Sequence, residues 1–90
     1  MLALLKVAPQ DGRFGQHGLD FGYTNDPSAI VAIYYHDGAY VLEEKVYKKG
    51  MSNKEIAETF KTMPNALIIA DSAEPKSIDE LRNYGLNVMP

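Results

Sequence analysis

The sequence predicts a single small α/β domain built on one mixed sheet. Three observations lead to this fold class: apolar runs with strand character, a later change to helical spacing, and turn-forming residues between the segments. The chain has 90 residues, of which 46% are hydrophobic, and this is ordinary for a globular protein. The predicted element order is β-β-β-α-β-α-β, and the last strand has only begun where the sequence stops.

The first half of the chain predicts an arm followed by three strands. Residues 1–16 carry little pattern beyond scattered glycine and proline, so they are expected to form a linker or N-terminal arm. Residues 17–23 are the first predicted strand, and the apolar run over 29–35 reads as a central strand covered on both faces. Asp37-Gly38 predicts a hairpin to a return strand over 40–48, whose charged residues suit a sheet edge.

The second half predicts two helices that alternate with strands. The first helix is expected to begin at Ser52, in a capping box with Glu55, and to stop before Pro64. A short apolar strand over 67–70 follows. A second helix opens at Pro75, because proline is favoured in a first turn, and the final residues begin another strand.

Composition and charge exclude several classes of protein. The chain has no cysteine, which rules out disulfides and thiolate metal sites and fits a reducing cytoplasm. Its net charge of −3 does not favour binding to nucleic acid by this chain alone. The apolar run over 2–5 is far too short for a signal peptide or a membrane span, so no membrane association is expected.

Two aspartates stand in matching positions after apolar strand residues. Asp20 lies between Leu19 and Phe21, and Asp71 ends the 67–70 strand. A right-handed helical crossover can lay these two strands side by side and parallel, so that the acids face each other. Carboxylate oxygens of this kind suit Mg²⁺ or Mn²⁺, and two such ions support phosphodiester hydrolysis. A purely structural role for either acid stays open at this point.

Two long motifs carry a resemblance to a known family. Residues 18–29 (GLDFGYTNDPSA) and 69–81 (IADSAEPKSIDEL) resemble the nuclease domain of phage terminase large subunits, which has the RNase H-like fold. The similarity runs from about Gly18 to the end of the chain. It implies that residues 17–90 form a truncated RNase H-like nuclease domain, incomplete at the C-terminus.

The resemblance also implies a site and an activity. Asp20 and Asp71 would be catalytic metal ligands. Glu74 would be a second-rank ligand, because it is close to Asp71 in the sequence but its position at the start of the second helix already accounts for its presence. The family cleaves concatemeric DNA during genome packaging and uses Mg²⁺ or Mn²⁺. The expected partners are double-stranded DNA, the terminase small subunit and the portal protein, in the cytoplasm of a bacterial host.

The sequence departs from the family in ways that lower the expected activity. Family members have a further acidic ligand beyond the point where this chain ends. The Walker A loop of the family's ATPase motor is also absent from the sequence. The 90-residue chain is therefore expected to be weakly active or inactive, and a fragment of this kind is expected to form a homodimer that covers exposed sheet.

Two alternative functions stay open on the sequence alone. The run from Asp20 to Thr24 also resembles the phosphate-gripping hairpin of actin-like ATPases and sugar kinases. The chain could equally be a catalytically inactive prophage remnant or an interaction module that keeps the fold without turnover.

Overall fold

In the part of the chain that the structure describes, six strands form one mixed sheet and are accompanied by two helices. The computed structural model describes residues 2–5, 12–22, 25–71 and 73–90. The elements in chain order are β1 (Leu2–Leu5), β2 (Arg13–Asp20), β3 (Pro27–His36), β4 (Ala39–Lys49), α1 (Asn53–Phe60), β5 (Ile68–Asp71), α2 (Pro75–Asn83) and β6 (Val88–Met89). Their order across the sheet is β1-β4-β3-β2-β5-β6. The predicted α/β fold class is confirmed.

The predicted hairpin joins β3 to β4. Asp37 and Gly38 both have positive φ, 50° and 74°, as a two-residue turn of this kind requires. The two strands pair antiparallel, and β2 pairs antiparallel with the other side of β3. These three strands make the central antiparallel part of the sheet.

The two helices are crossovers between parallel strands. Helix α1 leads from β4 to β5, which pairs parallel with β2, and α2 leads from β5 to β6. The Ser52 hydroxyl accepts a hydrogen bond from the Glu55 N–H at 3.1 Å, so half of the predicted capping box is present. The Glu55 carboxylate pairs instead with the Lys48 ammonium. No helix in the described ranges is long and apolar enough to cross a membrane.

Both helices pack on the same face of the sheet. Right-handed crossovers that step across a sheet in one direction lie on one side of it. The resulting core consists of buried residues from β2, β3, β5, β6 and both helices, among them Leu19, Ile30, Ile56, Ile68, Leu81 and Val88. The segment after α1 is held against β2, since His17 Nε2 donates a hydrogen bond to the Pro64 carbonyl oxygen at 2.8 Å.

The other face of the sheet, here called the open face, has no helix against it in the described part of the chain. Along β3, Ile30 and Ala32 are buried under the helices, whereas Val31 and Ile33 point to the open face and are half-buried. The prediction that this strand is covered on both faces is therefore wrong for the described residues. One side of its continuous apolar run faces the helices and is buried, and the other side faces the open face and is half-buried.

The first residues correct the predicted linker or arm over 1–16. Leu2–Leu5 pairs parallel with β4 and adds a sixth strand, and β2 begins at Arg13 rather than at residue 17. The intervening residues 6–11 of that predicted arm lie outside the described ranges. Leucine and alanine favour helix, so this strand depends on pairing with the edge of β4. Strand β4 is consequently an inner strand and not the predicted edge.

The inner position of β4 explains a buried carboxylate. Glu43 is only 7% exposed and lies among polar partners from β3 and β4. Its Oε1 accepts a hydrogen bond from the Tyr34 hydroxyl at 3.2 Å and lies 2.7 Å from the Lys45 ammonium. Burial, followed by the nearby Glu43 charge, raises the pKa of Tyr34. The hydrogen bond to Glu43 raises the pKa of Lys45.

A glycine after β2 fixes the start of the next strand. The Gly22 N–H donates a hydrogen bond to the buried Ser28 hydroxyl at 2.9 Å. A Cβ at position 22 would collide with the carbonyl oxygen of Asp26 and the carbonyl group of Pro27. This close backbone approach holds the end of β2 against the start of β3.

We expect Gly22→Ala to destabilise the fold. Because the added methyl group meets backbone rather than a flexible side chain, the β2–β3 connection must shift, at a cost of about 1–3 kcal/mol. Urea unfolding followed by circular dichroism measures this change. Gly38→Asn is the matched control, since asparagine tolerates positive φ and no atom lies within 4 Å of that position. Equal losses for the two variants would contradict the prediction.

We also expect the free energy of unfolding to fall as the pH rises above about 10. Tyr34 and Lys45 have raised pKa values in the folded protein, so the unfolded chain releases these protons first. The stability they contribute is present below their ordinary pKa values of 10.0 and 10.5 and is lost as the pH rises through the folded values. Urea unfolding from pH 8 upwards should show a shallower alkaline decline for Glu43→Gln than for the parent chain. An unchanged slope would disprove the coupling.

Candidate metal centre

The end of β2 directs one carboxylate to the open face. Leu19 and Phe21 are buried under the helices, at 2% and 7% exposure, and Asp20 between them is exposed. This follows from the alternation of side chains along a strand, because two apolar neighbours that face the core send the residue between them to the other side. Leu19 and Phe21 therefore face the helices, and Asp20 faces the opposite side of the sheet.

The end of β5 places a second carboxylate beside the first. Ala70 is buried at 2% exposure, and Asp71 after it is exposed. In the parallel pairing of β2 with β5, Leu19 stands opposite Ala70 and Asp20 opposite Asp71. Neighbouring strands lie about 4.8 Å apart, so the two carboxylates share one face of the sheet at that spacing. The predicted parallel pairing of these two strands is confirmed.

Both aspartates line one cavity on the open face. Its volume is about 470 Å³, and its remaining wall is mostly apolar, with Val31, Ile33 and Ile69 among the contributors. The acids stand at the end of the cavity where β2 and β5 stop. The arrangement is a shallow apolar groove with two carboxylates at one end.

The donor set fits a hard divalent cation. Within the described residues, neither Asp20 nor Asp71 has a hydrogen-bond or ion-pair partner. Like charges directly opposite each other on neighbouring strands repel, and a divalent cation between them removes that repulsion. Mg²⁺ and Mn²⁺ prefer oxygen ligands and keep several water molecules, which two exposed carboxylates allow. The described residues contain no group of three or more side chains placed to hold a metal ion.

Glu74 stands apart from this pair. It is the N-cap residue of α2 and is exposed, and its side chain makes no capping hydrogen bond. It does not line the cavity that holds Asp20 and Asp71. Its role as a second-rank ligand therefore stays a prediction, and its position at the helix start accounts for it.

Glu44 is a residue of this cavity that sequence reasoning missed. The sequence predicts that it lies on a polar sheet edge, whereas β4 is an inner strand and Glu44 lines the same groove as the two aspartates. It pairs with Val31, which in turn stands opposite Gly18. The available signal was its spacing of two from Leu42, which puts both residues on one face. Glu44 lies two strands away from β2, too far to complete the aspartate pair.

Thr24, which ends the run that resembles a phosphate-gripping hairpin, lies outside the described residues. The candidate site consequently consists of Asp20 and Asp71, with the apolar groove beside them.

Comparison with known proteins identifies relatives of this chain. No protein-family model matches it. The terminase large subunit of Bacillus phage SPP1 is 41% identical in an alignment of 78 residues, and the match covers 80% of this chain and 18% of that protein. The crystal structure of the large terminase nuclease domain from bacteriophage SPP1, with bound Mn, matches with a TM-score of 0.73 and 29% identity. That match covers 97% of this chain and 55% of the solved domain.

These findings support the RNase H-like fold and the resemblance to terminase large subunits, and they give no support to the kinase-like alternative. The chain spans about half of the solved domain and under a fifth of the whole relative. It therefore belongs to the phage terminase large subunits, within their RNase H-like nuclease domain.

Proposed function

We propose that Asp20 and Asp71 hold Mg²⁺ or Mn²⁺ and belong to a site that hydrolyses phosphodiester bonds of double-stranded DNA. The in-register pairing of these two exposed carboxylates on adjacent parallel strands carries the proposal. Bound Mn in the matched nuclease domain from bacteriophage SPP1 supports it. Divalent ions at such a site activate a water molecule and stabilise the leaving oxygen.

The chain's own residues position the site. Leu19 and Ala70 are buried at the same level of β2 and β5, and this burial keeps both acids on the open face. Gly22 holds the backbone after Asp20 close to Asp26 and Pro27. Because the strands are fixed by packing, the carboxylates need little rearrangement to bind an ion, as precise metal sites require.

We further propose that the chain acts as part of a terminase large subunit in a bacterial host's cytoplasm. Its substrate there is concatemeric phage DNA, and the small subunit and the portal protein are its partners. Because the chain has a net charge of −3, we expect other parts of the assembly to supply most of the affinity for DNA.

We expect Asp20→Asn and Asp71→Asn each to weaken Mn²⁺ binding by at least about tenfold, since each removes one of two charged ligands. Isothermal titration calorimetry measures the affinity. Asp79→Asn is the matched control, because Asp79 is exposed on α2 and does not line the groove. Equal affinity in all three variants would refute the site.

Thermal stability gives a second test of the site, and in the absence of metal the Asp20→Asn substitution should not lower it. In the presence of a chelator, Asp20→Asn should leave thermal stability unchanged or raise it slightly, because it removes a repulsion between facing carboxylates. With Mn²⁺ present, the parent chain should gain stability and the variant should not, since only the folded parent binds the ion. A variant that is less stable in chelator would show that Asp20 has a structural role instead.

We expect the 90-residue chain to cleave DNA poorly or not at all. Hydrolysis with two ions needs both held in register, and the described residues bring only two carboxylate ligands together. Incubation of supercoiled plasmid with the purified chain and Mn²⁺ measures the activity. Efficient cleavage that Asp20→Asn abolishes would contradict this expectation of weak activity, while supporting the metal centre.

A further inference from the structure

The row of paired residues that contains the two aspartates continues across the open face. Asp71 pairs with Asp20, Asp20 pairs with Ala29, and Ala29 pairs with Tyr47. Because neighbouring strands lie about 4.8 Å apart, Tyr47 stands about 10 Å from Asp20 across the sheet. All four residues line the same cavity. The row therefore forms one continuous strip that leads from the metal centre, over the small side chain of Ala29, to a tyrosine.

Tyr47 presents a free hydroxyl group at the end of this strip. Val46 before it packs against the core under the helices, so the alternation of side chains along β4 turns Tyr47 to the open face. Tyr47 is 66% exposed, against 46% for Tyr40 and 38% for Tyr35. Its hydroxyl has no hydrogen-bond partner among the described residues. The phenol can therefore donate a hydrogen bond to a ligand on this face.

Lys49 adds a positive charge beside Tyr47. The ammonium group of Lys48 pairs with Glu55 on α1, so Lys48 points to the helix side and Lys49, the next residue, points to the open face. Lys49 is exposed and has no ion-pair partner within the described ranges. Residues two apart on a strand share a face at a spacing of about 7 Å. Tyr47 and Lys49 therefore form a neighbouring hydroxyl and ammonium pair.

The side chains of the open face favour one direction for a nucleic-acid backbone that starts at the metal centre. A backbone that ran along the strands would cross the apolar groove, whose side chains donate no hydrogen bond, and would approach the Glu44 carboxylate. A backbone that ran across the strand ends would pass over Ala29 and reach the Tyr47 hydroxyl and the Lys49 ammonium group. Phosphate oxygens accept hydrogen bonds and carry negative charge, so the second direction is the favourable one.

We propose that Tyr47 and Lys49 position DNA at the metal centre by binding its phosphate backbone to one side of the bond that is cleaved. This inference rests on the proposed function, which brings a phosphodiester to Asp20 and Asp71. The Tyr47 hydroxyl donates a hydrogen bond to a phosphate oxygen, and the Lys49 ammonium group pairs with the same or the next phosphate. Contacts of this kind set the position of DNA and do not read its sequence.

The distance between Tyr47 and the metal centre fits two contacts on one DNA strand. Successive phosphates of a strand advance by about 3.4 Å along the helix axis, so a separation of about 10 Å corresponds to about three nucleotides. One contact at the ions and a second one three nucleotides away fix the direction of the backbone as well as its position. A phosphodiester bond that is held in this way reacts in a defined geometry.

Nearby acids limit the affinity that these two contacts can give. Asp26 is exposed in the turn between β2 and β3, and Glu44 lines the groove. Their charges oppose the single charge of Lys49, so we expect this chain to bind DNA with a dissociation constant on the order of 10⁻⁴ M. Tyr47 and Lys49 therefore act through local contacts with the backbone and not through a general attraction of the surface for DNA.

Fluorescence anisotropy with a short labelled DNA duplex and the purified chain in Mg²⁺ tests the two contacts. We expect Tyr47→Phe to weaken binding about threefold to tenfold at every salt concentration, because it removes one hydrogen bond to a charged group. Lys49→Gln should weaken binding and also reduce the slope of log K against log salt concentration by about 0.9, the value for one phosphate contact. A merely structural role of Lys49 would not change that slope. Affinity for Mn²⁺, measured by calorimetry, should be the same in both variants as in the parent chain.

Tyr40→Phe and Lys76→Gln are the matched controls. Tyr40 is an exposed tyrosine on the same face of the same strand, near the opposite end of β4 from Tyr47. Lys76 is exposed on α2, away from the open face. Both controls should bind the duplex as the parent chain does, and circular dichroism establishes that each variant is folded.

Backbone amide NMR shifts on adding the duplex separate this inference from the proposed function. Shifts at Asp20 and Asp71 together with Tyr47 support both. Shifts at the aspartates without Tyr47, or equal affinities in Tyr47→Phe, Lys49→Gln and the two controls, overturn the positioning role and leave the proposed function standing. A duplex that shifts none of these residues at roughly 1 mM contradicts both.

Discussion

The parallel pairing of β2 with β5 is the constraint on which the site depends. It is fixed by burial, because Leu19 and Ala70 face the helices at the same level of the two strands. A slip of one residue in either strand would expose an apolar side chain and turn an aspartate into the core. The cost of burying an unpaired carboxylate makes that slip unfavourable. The register that buries Leu19 and Ala70 is therefore the one that brings Asp20 and Asp71 together.

The one-sided placement of the helices produces both the cleft and the apolar surface beside it. Both crossovers lie on the same face, so every second residue of β2, β3 and β5 reaches a surface that no described element covers. Near the strand ends this surface carries carboxylates, and in the middle it carries branched aliphatic side chains. The two carboxylates and the apolar groove beside them are thus parts of one continuous surface.

Local patterns allowed much of the fold to be predicted, and long-range pairing accounts for what they missed. Asp37-Gly38 and Ser52 act on their immediate neighbours, so the hairpin turn and the helix start could be read from a few residues. The aspartate pair needed only the handedness of one crossover. Leu2–Leu5, in contrast, has no strand preference of its own, and its pairing with β4 appears only when the sheet is assembled. The place of Glu44 in the groove depends on the same assembly.

The separation of the two aspartates along the chain has a consequence for the order of folding. The β3–β4 hairpin joins neighbouring segments and can form early, whereas the β2–β5 pairing joins strands about fifty residues apart and must close a large loop first. The pairing that creates the ion-binding geometry therefore carries a larger loop-closure cost than the hairpin does. A change in the β4–β5 connection, far from the carboxylates, would alter that cost and so the stability of the pair.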